Sequence, residues 1–187
     1  ISRQKIMDNN MDVLENAMLE LQLAVQKGMP LEYAALFISQ GYQATSGIIK
    51  TAAPFRYVYA DLKPGQDFRE EHNPPASTVG GYLLYAIKQG RVKDIMKGLR
   101  DNYYQTQIPL TNDAEINNAG LQSTIPQDTD IFTNSAIRLI DAGQDLNKYI
   151  NPRTGKSLAD DLGLYLEPRN RTADNINEQR NLARQII

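Results

Sequence analysis

His72 is the one histidine of the chain, and it stands in "REEHNPPAS" directly after Glu70 and Glu71. Two carboxylates beside an imidazole are the first combination in which to look for acid–base chemistry. Adjacent residues of an extended segment point to opposite faces, however, so Glu71 and His72 do not converge on one substrate without a sharp turn. Asn73 precedes Pro74 and Pro75; a residue before proline leaves the helical region, and the two prolines stiffen the approach to the next element. "EEHNPP" therefore reads as a stiff corner entering a helix, with His72 a hydrogen-bonded structural group. A hydrolytic role for Glu71 and His72 is the alternative. Histidine-ligated hydrolytic metals need two or more imidazoles. No serine stands in a nucleophile-elbow context.

Three other clusters invite chemistry. "NPRTGKS" ends like a phosphate-binding loop, but the glycine required five residues before Gly155 is replaced by Ile150. A β-turn "PRTG" leading into a capped helix accounts for these residues. Asp141, Asp145, Asp160 and Asp161 supply carboxylates without the spacing or central glycine of a calcium loop. Lys88, Arg91, Lys93, Lys97 and Arg100 precede Tyr103 and Tyr104. Lys93, Lys97 and Arg100 share one helix face, and with Tyr103 and Tyr104 they form a candidate nucleic-acid face, because aromatic rings beside cations are what a single-strand platform uses. Val92, Ile95, Met96 and Leu99 make the same helix amphipathic, which explains the cations as a solvated face. No cofactor is expected from any of these groups.

Periodicity supplies the scaffold on which these residues sit. Met7, Met11, Leu14, Met18, Leu21 and Val25 recur at four- and three-residue steps, predicting an N-terminal helix with a heptad-like seam. That seam packs on its own domain or serves as an oligomer or partner interface, to which methionines lend adaptability. Gly28 and Pro30 mark the stop and the start of a second helix reaching about residue 40. "TSGIIKTAAP" predicts a short helix ended by Pro54, and "FRYVYADL" a strand. Further helices run from near Ser77 to Gly90 and over "RVKDIMKGLRDN". "YYQTQIPL" is a second strand, able to pair with 55–62 as a two-stranded ribbon. "TNDAEINNAG", residues 131–143 and a piece capped by Ser157 and Asp160 are helical. So is a polar stretch at 171–187 with Ile176, Leu182 and Ile186. The expected architecture is mainly α, an irregular multi-helix domain with a small two-stranded β element at 55–62 and 103–108. It is a single domain, 1–187, with a soft boundary near 122–130.

Composition bounds the rest. The 187 residues are 41% hydrophobic and 22% charged, with net charge -2. That suits a globular chain with one good-sized core and excludes a global basic field toward nucleic acid or anionic lipid. The absence of cysteine excludes disulfides, thiolate nucleophiles and cysteine-ligated metals. No apolar run is long enough to span a bilayer. The chain starts at Ile1 and stops on "RQII"; such ends fit a piece of a longer polypeptide, and equally a chain whose flanking residues lie outside its ordered part.

From residue 70 to 126 the order of pieces is "EEHNPPASTVGGYLLYAIKQG", then "YYQTQIPLTNDAEINNAGLQSTIP". It resembles segments of the very large virion-associated polypeptides of tailed bacteriophages, crAss-like phages in particular. The resemblance is carried by Glu71-His72 with Pro74, the helix ending at Gly90, Ile108-Pro109, and Gly120 leading to "STIP". It implies a virion structural or cargo segment located in the phage particle, with no catalytic residue to carry over. Its partners would be other virion proteins or a second copy. The expected function is thus non-enzymatic, through protein–protein contacts at the methionine seam and the 171–187 helix. A nucleic-acid-binding or hydrolytic module is the alternative.

Overall fold

The computed structural model describes residues 3–39, 48–121 and 135–163. The chain divides into two compact units, each assembled from separated stretches: Ile1–Pro54 with Ala76–Tyr103, and Phe55–Pro75 with Tyr104–Ile187.

The first unit is helical. It contains α1 (Arg3–Gln26), α2 (Leu31–Ser39), α3 (48–52), α4 (Ala76–Gln89) and α5 (Val92–Asn102). The turn between α1 and α2 passes through Gly28 at φ 110, a conformation that costs glycine little and other residues much. α1 packs on α4 and α5. Met11, Leu14 and Met18 are buried together with Val79, Leu83 and Ile87 of α4 and with Val92, Ile95, Met96 and Leu99 of α5. Each such side chain contributes roughly 1.5–3 kcal/mol by leaving water. Polar contacts fix the register of this packing. Arg91 offers α5 no side-chain cap, and the Gln22 side chain of α1 accepts the Val92 N–H at 2.9 Å instead. Arg100 donates to Asp12 and Glu15 of α1 at 2.8 and 3.1 Å.

The second unit is built on a four-stranded mixed sheet in the order β2-β3-β1-β4. Its strands are β1 (Phe55–Tyr59), β2 (Phe68–Asn73), β3 (Tyr104–Pro109) and β4 (Tyr149–Ile150). β1 and β3 run parallel as the central pair, with a bulge between Phe55 and Tyr57. β2 runs antiparallel to β3 from Phe68↔Pro109 to Asn73↔Tyr104. β4 closes the other side against Val58 and Tyr59. Around the sheet lie α6 (Leu110–Asn118), α7 (Ile137–Asp141), a 3-10 turn (Leu146–Lys148) and α8 (Leu158–Leu162). The core gathers Tyr57, Tyr104, Ile108, Ile116, Ile137, Leu139, Ile140, Leu146, Tyr149 and Leu158. α8 starts at the capping box read from sequence, in which Ser157 and Asp160 each accept the other's backbone N–H.

This architecture corrects the mainly α expectation: the chain is an α/β mix whose second unit is organised by a sheet. The segments near 55–62 and 103–108 do pair, but in parallel and at the centre of four strands, with no isolated ribbon. The two unexpected strands are the reason. "FREEHN" is too polar to read as a strand, because its ladder partner supplies backbone bonds rather than an apolar face, and "YI" is only two residues long. The soft boundary expected at 122–130 and the helix expected at 171–187 lie outside the described residues.

Candidate functional site

"EEHNPP" is therefore strand β2 with a turn into α4, and the Asn73–Pro74 peptide bond is cis. Strand alternation sends Arg69, Glu71 and Asn73 to one face and Phe68, Glu70 and His72 to the other. The first set meets polar partners within the second unit. Arg69 faces Asp113 of α6 at 3.6 Å, Asn73 donates to the Thr106 hydroxyl at 3.2 Å, and Glu71 pairs with Arg138 of α7. Glu71 and His72 do not converge, and the acid–base reading of the pair has no geometry behind it.

Arg138 is the centre of this arrangement. Its side chain is 1% exposed, and three of its nitrogens reach two separate pieces of chain, strand β2 and the segment after α6. Nε donates to the Leu121 carbonyl at 2.6 Å, Nη1 to the His72 carbonyl at 2.9 Å, and Nη2 to the Glu71 carboxylate. The planar guanidinium fork suits such divergent acceptors, whereas a lysine point charge does not. Burial pushes the Glu71 carboxyl above its ordinary value, while the neighbouring Arg138 charge and hydrogen bond pull it back down.

A second polar chain ties α6 to β4. The Asn112 amide donates to the Tyr149 hydroxyl at 3.4 Å, and Tyr149 donates to Gln144 at 2.8 Å. Gln144 in turn donates to Glu115. Burial raises the Tyr149 phenol well above its ordinary value, which keeps it a donor. Tyr57 closes a further link, donating to Asp161 at 2.7 Å. These groups direct their hydrogen bonds at one another inside the unit, and so they act as clamps between elements rather than as a set aimed at a substrate. Among the described residues no group of three or more His, Asp or Glu is placed to hold a metal ion.

The other sequence-derived residues separate. Lys93 and Lys97 are exposed on α5, but Arg100 of the same face is engaged by Asp12 and Glu15. Tyr103 and Tyr104 are 0% and 3% exposed, so no base can stack on either ring. Tyr103 donates its hydroxyl to the Ile49 carbonyl at 2.8 Å in the first unit, while Tyr104 packs edge-on against Tyr57 in the second. The stacking platform is thereby corrected: the tyrosines are core residues. The methionine seam is corrected in part. Met11, Leu14 and Met18 are buried inside the first unit, Leu21 and Val25 are half-buried, and the side chain of Met7 lies outside the described residues.

The apolar surface that sequence reasoning missed is on α2. Tyr33, Leu36 and Phe37 are 56%, 46% and 53% exposed, while Ala34 and Ile38 of the same helix are buried. The signal was legible, because "LEYAALFIS" carries a single charge, Glu32, and is apolar around most of its circumference. No helix among the described residues is long and apolar enough to cross a membrane. Neither a protein-family model nor a curated protein nor a solved structure matches the chain.

Proposed function

We propose that this chain is a non-enzymatic module acting through protein–protein contacts, a structural or cargo segment of a tailed-phage particle. The observation that carries the contact reading is the outward face of α2. Tyr33, Leu36 and Phe37 fall at i, i+3 and i+4, on one side of a helix whose other side is already buried. Clustered exposed aromatic and aliphatic residues mark interaction surfaces, and tyrosine anchors are common at them. The clamped state of Glu71, Glu115, Asn112 and Tyr149 supports the non-enzymatic part. Placement in a phage particle rests on the resemblance through Glu71-His72, Pro74, Ile108-Pro109 and Gly120.

Two measurements test the two parts separately. Mass spectrometry of purified particles from a phage encoding this sequence should find its peptides in stoichiometric amount, and their absence removes the virion assignment. Tyr33→Glu with Phe37→Glu should leave the thermal midpoint within a few degrees, since both side chains face solvent, and should abolish co-purification with partner proteins. Unchanged co-purification would refute α2 as the contact face.

A further inference from the structure

We draw no further inference here: the strongest candidate, the apolar groove between α2, α3 and α4 lined by Ile38, Ile49, Gly80, Gly81 and Leu84, carries nothing, because nothing in the structure shows what covers it.

Discussion

Removing the guanidinium of Arg138 is the most informative single perturbation of the second unit. Arg138→Met keeps an unbranched apolar stem in the core but deletes the donors to Leu121, His72 and Glu71. Two carbonyls lose a donor, and a carboxylate whose side chain is only 14% exposed loses its countercharge. Breaking a buried pair from one side costs about 3–5 kcal/mol, a large share of the ~5–15 kcal/mol that holds a domain together. Glu71→Met should also destabilise, because it strands the guanidinium. The double variant should recover about 2 kcal/mol or more relative to the sum, since no charge is then left unpaired. Urea unfolding of the four proteins, at constant denaturant slope, measures the cycle. The pH dependence supplies an independent sign. Without Arg138, burial drives the Glu71 carboxyl still higher, and an acid raised in the folded state favours folding at low pH, an advantage lost as pH rises through the folded value. The deficit of Arg138→Met should therefore shrink as pH falls toward the ordinary glutamate value of ~4.3. A cost below about 1 kcal/mol, additivity in the double variant, or a deficit that grows on acidification would refute the clamp assigned to this pair.

Three further outcomes concern single sites. Gly81→Ala should stabilise the chain by about 0.5–1 kcal/mol, whereas Gly80→Ala should give no gain, its Cβ being 3.1 Å from the Ile38 side chain; equal thermal shifts would refute the distinction. Ser157→Ala removes one half of the α8 capping box and should cost about 1 kcal/mol by denaturant midpoint, while Ser157→Asn should restore most of it. Burial pushes the Tyr104 phenol up to about 12 and raises Tyr57, Tyr103 and Tyr149 as well. For Tyr104 the stability linked to the neutral phenol is complete below the unfolded value of ~10 and is lost, up to ~3 kcal/mol, as pH rises toward 12. Tyrosinate absorbance from this group should thus appear together with loss of circular dichroism, and titration near pH 10 with structure retained would contradict its burial.

The amphipathic helices were legible in the sequence because their information is local. Val92, Ile95, Met96 and Leu99 recur at helical spacing, and all four are buried in α5. Ser157 and Asp160 sit at the capping interval and form the box. Gly28, Gly90 and Gly143 come after α1, α4 and α7 at positive φ, as punctuation read from residue type alone requires. Even the buried arginine left a trace: Ala136, Ile137, Leu139 and Ile140 surround Arg138 with apolar residues on every side, the mark of a helix with no solvent face.

Tertiary structure decided what sequence spacing could not. β2 is a strand because β3 lies beside it, and nothing in the alternation of "FREEHN" announces that ladder. Tyr103 and Tyr104 are neighbours in the chain, yet one closes the helical unit and the other enters the sheet core, so an apparent aromatic platform was two core residues. The methionine seam and the α2 stripe look alike as patterns; which one remained at the surface depended on where α4 and α5 packed. Periodicity specifies that a face is apolar. The partner that covers it is a long-range choice, fixed by which other faces the folded chain brings within reach.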